Sequence, residues 1–255
     1  NDLPIEILKK IEKKKINYFI IDLTQNNKFK KNKKSFFINI GKFGEILKLI
    51  KSKKCTKVIF AGNIKKPRIS KLKLDLKGLL YIPRVVKAAK LGDAAILKVL
   101  IKILSENKIR VIKLNTFNPD LTLKKGVHTK IRPSKQDKQE ILKGIIALKK
   151  INSYNHTQAV IVRNNKVISL EKRKGTKEMI NSISKSLKKR GILIKLPKAK
   201  QDLRVDLPTI GIDTFKDCNK AGIKGVVVKS NQNIILNKKN SIKYANNNKI
   251  FLVAI

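Results

Sequence analysis

The sequence predicts a two-domain α/β protein, and three observations carry that prediction. Strand-like apolar runs alternate with helical stretches through the first half of the chain. A polar segment with two prolines and no period follows near the middle. Beyond it the pattern changes to one that includes hairpin-like pairs. The first half, residues 1–130, therefore reads as a Rossmann-like domain with a parallel sheet. The second half, residues 131–255, reads as a distinct α/β domain with hairpins.

The elements follow in order. "PIEILKKIEKK" (4–14) has apolar residues at helical spacing, and "NYFIIDL" (17–23) is a strand. A helix so close to the start, preceded by "NDLP", reads as the second element of a βα unit whose first strand is missing. "SFFINI" (35–40) is a second strand and runs into a helix that opens on the glycines of "GKFGEILKLIKSKK" (41–54). The strand "KVIFAG" (57–62), a helical zone over 84–106 and the strand "RVIKL" (110–114) complete this half. Residues 115–135, with Pro119 and Pro133, are the expected linker. A helix over 136–150 then leads to "QAVIVRNNKVISL", two apolar runs joined by Asn164 and Asn165. A helix over 175–189, the strand "GILIKL" (191–196) and a short helix over 213–221 come next. A second hairpin-like pair over 224–236, a helix over 240–247 and the strand "IFLVAI" finish the chain.

Composition narrows the function classes. The chain carries 61 Lys+Arg against 17 Asp+Glu, a net charge of +44. That charge invites a nucleic-acid reading, but lysines occur on nearly every element. No basic segment has the interleaved aromatics of a base-stacking platform. A Lys/Ile/Asn-rich composition also arises on any fold from a codon-biased genome. That reading ranks first, attraction to an anionic substrate or membrane surface second, and nucleic acid third. No apolar run reaches the roughly 18–20 residues that span a bilayer. The start carries no signal-peptide pattern, and Cys55 and Cys218 suggest no disulfide scaffold. These features point to a reduced, cytoplasmic protein.

Nucleophile patterns are absent: there is no G-x-S-x-G elbow and no Walker loop. His128 and His156 are too few for common metallohydrolase designs. The glycines of "GKFGEI" could receive an anion at a helix start, or they simply cap a helix. Gly175 and Thr176 in "RKGTKEM" offer the same choice, with Thr176 as a plain N-cap. The strongest feature is "QDLRVDLPTIG" (201–211). So cationic a chain places Asp202, Asp206, Asp213 and Asp217 within one sixteen-residue window, and the loop itself lies between a strand end and a helix start. α/β proteins build sites at such places. Asp202 and Asp206 supply hard oxygen ligands suited to Mg²⁺. Lys195, Lys198, Lys200 and Arg204 surround them with groups that clamp phosphate oxygens. In the plainer alternative, Asp206 caps a turn and Asp202 pairs with a neighbouring lysine.

The same line, "GILIKLPKAKQDLRVDLPTIGIDT", resembles the K-x-x-K-x-x-Q-D-x-R-x-D-x-P-x-x-G signature of the LpxI-type UDP-2,3-diacylglucosamine pyrophosphatases. Further resemblances run in order along the chain. They are "NDLP", "AGNIKKP" (61–67), Asp75, Gly92 with Asp93, Gln158 before "AVIV", Glu171 with Gly175–Thr176, and "AGIKGVVV" (221–228). The resemblance implies a Rossmann-like N-terminal domain and a C-terminal α/β domain, with the substrate in a cleft between them. It implies Mg²⁺-dependent hydrolysis, or Mn²⁺ in its place, of UDP-2,3-diacylglucosamine to UMP and 2,3-diacylglucosamine 1-phosphate for lipid A. It further implies peripheral contact with the cytoplasmic face of a Gram-negative inner membrane, and a homodimer.

On this reading Asp206 is the Mg²⁺ ligand or water orienter, Asp202 supports it, and Arg204 joins them in catalysis. Lys195, Lys198, Gln201, Gln158, Glu171, Gly175, Thr176, Lys66 and Asp93 contact substrate. The chain departs from the pattern at Lys66, where Arg is usual, and at Ala94, Asn155 and Thr157. Lys174 and Lys177 stand where the family carries acids. Those exchanges leave open a catalytically weakened homologue that binds a nucleotide-sugar lipid. A basic nucleic-acid-binding protein is the remaining alternative.

Overall fold

The computed structural model describes residues 2–24, 29–64, 68–152, 157–183, 190–198 and 201–255. The protein is mixed α/β and forms two compact units, Asn1–Asn118 and Pro119–Ile255.

In the first unit, α1 (Leu3–Lys13) starts with Pro4 in its first turn, where a missing N–H removes no helix bond. The strands β1 (Ile20–Asp22) and β2 (Ser35–Phe37) pair in parallel. After them comes α2 (Phe43–Ser52), which buries Ile46, Leu47 and Ile50. Next is β3 (Lys57–Val58), then α3 (Leu76–Ala89) and α4 (Asp93–Glu106). The strand β4 (Arg110–Val111) pairs in parallel with β3, and α5 (Leu114–Phe117) closes the unit. The helical zone expected over 84–106 is two helices, the first beginning eight residues earlier. They are separated by a turn in which Gly92 takes a φ of 108° as N-cap of α4, a conformation open to glycine.

One carboxylate organises this unit. Asp75 accepts a hydrogen bond from the Gly78 amide at 2.7 Å and another from the Glu45 amide at 2.9 Å. It therefore caps α3 and α2 at once. Burial works to raise its pKa, but the bonds from Gly78, Gly44 and Glu45 and the charge of Lys42 outweigh that and hold it low. The glycines of "GKFGEI" permit the close approach. A Cβ on Gly78 would lie 2.4 Å from the Gly41 carbonyl oxygen. The start of α2 is thus filled by the protein's own anion.

In the second unit, β5 (Gly126–Val127) precedes α6 (Lys135–Asn152). Ser134 and Asp137 exchange hydrogen bonds at the α6 start, a reciprocal cap. The hairpin β6 (Ala159–Arg163) and β7 (Lys166–Leu170) turns through Asn164 and Asn165, at φ of 51° and 56°. Two left-handed residues in a two-residue loop match the twist of the strands. Then follow α7 (Gly175–Asn181), β8 (Ile192–Lys195), β9 (Thr209–Ile210), α8 (Ile212–Lys220), β10 (Gly225–Val228), β11 (Ile234–Ile235), α9 (Lys238–Asn247) and β12 (Phe251–Ala254).

The six-stranded sheet has the order β5-β12-β10-β8-β6-β7. Its β12, β10 and β8 are parallel, while β5, joined to β12, and β6, joined to β8, are antiparallel. Alternate residues face opposite layers. Val160, Val162, Ile192, Ile194 and Val227 pack with Ile141 and Leu148 of α6. Ala159, Ile161, Leu193, Val226 and Val228 pack with Met179, Phe215 and Ala245 of α7, α8 and α9. α6 sits close because Gly144 has no Cβ; one would lie 2.6 Å from the Ile194 side chain.

Two expectations for this half are corrected. Residues 224–236 are no hairpin: β10 is a central parallel strand, and β11 pairs in parallel with β9. An uninterrupted buried run suits a strand covered on both faces. The expected linker is also built into structure. Leu121, Thr122 and Leu123 are buried, and β5 adds an edge to the sheet.

Candidate functional site

The site grows from the carboxyl end of β8. Along this strand Ile192 and Ile194 face α6 while Leu193 faces the opposite layer. Alternation therefore sends Lys195 toward α7, into a layer that is otherwise apolar. Its side chain is only 8% exposed. The ammonium donates to the Thr176 hydroxyl, and that hydroxyl donates to a Glu171 carboxylate oxygen. The Lys195 nitrogen lies 3.8 Å from the same oxygen. The second Glu171 oxygen accepts from the Gln158 amide at 3.1 Å. Burial is the main cause holding the Lys195 pKa below its ordinary value, and the Lys198 charge adds to it. The Glu171 and Asp206 carboxylates pull the other way.

Gln158, Glu171, Thr176 and Lys195 thus form one connected group. Thr176 is no plain helix cap, since its hydroxyl belongs to this chain of bonds. Beside it Gly175 holds a φ of 86° at the start of α7, with open space where a Cβ would stand. α7 ends at Asn181, and residues 184–189 of the helix expected over 175–189 fall outside the described residues. The side-chain oxygen of Gln158 is buried and has no hydrogen-bond partner among the described residues.

The acidic loop follows β8. Gln201 bridges it: its amide oxygen accepts from the Lys198 N–H at 2.9 Å, and its own N–H returns to the Lys198 carbonyl. Both carboxylate oxygens of Asp202 accept from the Arg204 guanidinium, the shortest contact being 2.7 Å. One of them also takes the Arg204 backbone N–H. Asp202 thereby pushes the Arg204 pKa further above its ordinary value. Asp202 thus pairs with this arginine. The carboxylate of Asp206 differs: no hydrogen bond or ion pair reaches it among the described residues. Leu207 and Pro208, directly after it, are buried, and the Pro208 carbonyl accepts from the Ile234 amide. The loop is therefore pinned just beyond Asp206. Asp213 lies exposed on α8, paired with Lys216 at 3.8 Å.

Lys66, Asn155, His156 and Lys200 fall outside the described residues. Asp93 belongs to the first unit, exposed in the opening turn of α4. Asn233 was not foreseen, and it holds the site together. It is fully buried; its side chain donates to the Lys195 carbonyl at 3.0 Å and accepts from the Lys229 amide at 2.9 Å. It thereby ties the ends of β8 and β10. Its one sequence signal is an Asn directly before a short strand, diluted in an Asn-rich chain.

Among the described residues, no three His, Cys, Asp or Glu side chains converge as a metal cage. The Asp206 carboxylate does suit Mg²⁺, which binds through one or two carboxylates and otherwise through substrate phosphates and water.

Fold and site together define a two-unit α/β protein with lysines and the Asp206 carboxylate at the carboxyl edge of a mixed sheet. The chain belongs to the LpxI family: residues 2–121 match the LpxI N-terminal domain and 124–253 the LpxI C-terminal domain. It is also similar to the UDP-2,3-diacylglucosamine pyrophosphatase LpxI of Caulobacter vibrioides. The two are 27% identical over 226 residues, 86% of this chain and 81% of that protein.

Proposed function

We propose that this protein hydrolyses the pyrophosphate of UDP-2,3-diacylglucosamine, releasing UMP and 2,3-diacylglucosamine 1-phosphate for lipid A synthesis. The observation that carries the reading is the Asp206 carboxylate, which no described residue bonds or ion-pairs, acting on the buried Lys195 ammonium in a chain of the LpxI family. Splitting a pyrophosphate requires an in-line water and neutralisation of charge on the phosphate oxygens.

In this reading Asp206 would hold Mg²⁺, or Mn²⁺ in its place. The bound ion supplies charge neutralisation and a more acidic water. Asp206 also orients the attacking water. Lys195, fixed by Thr176 and Glu171, presents a cation that cannot swing away. Lys198 and Arg204, both partly open to solvent, take the phosphate oxygens. Arg204 turns from Asp202 to a phosphate, and Asp202 supports Asp206. Gln158, Gln201 and Gly175 line the substrate, with Lys66 and Asp93 as further contacts. The two parallel ladders of the first unit support reading it as the Rossmann-like half.

The test is Asp206→Ala, assayed by mass spectrometry of UMP and lipid products. A loss of about 100-fold or more is expected. A rate near wild type would sink the assignment.

A further inference from the structure

α3 leaves an apolar stripe open to solvent. Of its fourteen residues only Gly78 and Ala88 are buried. Leu76, Leu79 and Leu80 are 86%, 55% and 68% exposed, and Leu91, in the turn that follows, is 78% exposed. Leu76, Leu79, Leu80 and Pro83 stand at i, i+3, i+4 and i+7, so they share one helix face. Lys87 and Lys90 continue the same face at i+11 and i+14, and Lys77 flanks it; all three are exposed. α3 contains no acidic residue. Its one arginine, Arg84, is held by both carboxylate oxygens of Glu106 at 2.8 Å.

Contiguous exposed leucines of this kind mark a surface that is covered in use. The charge pattern selects the cover. A second copy of a chain with net charge +44 would set lysines against lysines. A nucleic acid would meet the lysines but give the leucines no apolar layer. An anionic bilayer supplies both: an acyl boundary for the apolar stripe and negative headgroups for its basic rim. We infer that the α3 face, Leu76, Leu79, Leu80 and Pro83 with Lys77, Lys87 and Lys90, docks this protein onto an anionic phospholipid surface.

The test uses the intact chain and vesicles of phosphatidylcholine, pure or with about 30% phosphatidylglycerol. Wild type should co-float with the anionic vesicles and not with the neutral ones. Leu76→Glu with Leu80→Glu should weaken that partition about 100-fold, because two apolar anchors are lost and two repelled charges gained. Leu142→Glu with Ile146→Glu, on the exposed side of α6, should leave it unchanged. The chain has no tryptophan, so the indole introduced by Leu79→Trp reports alone, and a blue shift of its emission is expected with anionic vesicles only. Undiminished flotation of the α3 variant, or no emission shift from the Leu79→Trp protein, would overturn the inference. So would a self-association of wild type that the α3 variant abolishes, since the occupant would then be a second copy. Vesicle binding needs no turnover, so it succeeds or fails independently of the hydrolytic assignment.

Discussion

Lys195 is the residue whose surroundings say most about the site. A strand position that alternation assigns to an apolar layer holds a cation, and Thr176 and Glu171 are arranged around it. Removing one partner of a buried pair leaves the other uncompensated. Lys195→Met is therefore expected to destabilise the second unit by about 3 kcal/mol in urea unfolding. Adding Glu171→Gln should recover most of that stability and none of the hydrolysis. If the double variant is no more stable than the single one, the pair is not coupled. The sequence shows the acids and lysines of this site because they run against the chain's drift toward Lys, Ile and Asn. It does not show that Asp202 pairs with Arg204 while no described residue bonds the Asp206 carboxylate, since both sit in the same turn-rich line. Asn233 was illegible for another reason: one buried amide looks like any other Asn here until the ends of β8 and β10 are seen side by side.

At the level of elements, Asp75 joins two helices thirty residues apart in sequence through one carboxylate. Asp75→Ala should cost the first unit about 2 kcal/mol at neutral pH, roughly one for each cap lost. The Asp75 pKa is lowered on folding, so its contribution is full above the ordinary carboxylate value. It is lost as pH falls through the folded pKa. Wild type and variant should therefore converge in stability below about pH 4, as followed by circular dichroism. A gap that persists at low pH would contradict the role given to the charge. Elements with a clean period were legible: α1, α2, the β6–β7 hairpin and β12 lie where their patterns put them. The start of α3 was not, because Leu76, Leu79 and Leu80 face solvent and blur the apolar–polar contrast that marks a helix. The β10 region misled because a strand buried on both faces has no alternation to read.

At the level of the whole molecule, net charge is the dominant fact. Sixty-one basic residues on a 255-residue chain repel one another more strongly in the compact state than in the unfolded one. Raising ionic strength from about 0.01 M to about 0.1 M shortens the screening length from about 30 Å to about 10 Å. The melting temperature should rise by several degrees over that range, and a flat or falling trend would show that the repulsion is already relieved by pairing. The two-unit organisation was legible from the change of pattern along the chain. The composition of the middle segment hid the fact that it adds an edge strand, since a two-residue strand leaves no periodic trace.

That added edge has a consequence for behaviour in concentrated solution. An open sheet offers its outermost backbone groups to any passing strand, which is how misassembly begins. Here one border of the sheet is β5, two residues long, and the other is β7, opened by Lys166 and bent by the register shift against β6 between Ile161 and Val162. Val167 and Ile168 lie partly exposed on β7, so that border depends on its irregular pairing and its lysine to stay unmatched. The features that look least regular in the second unit are thus the ones that keep its sheet from growing.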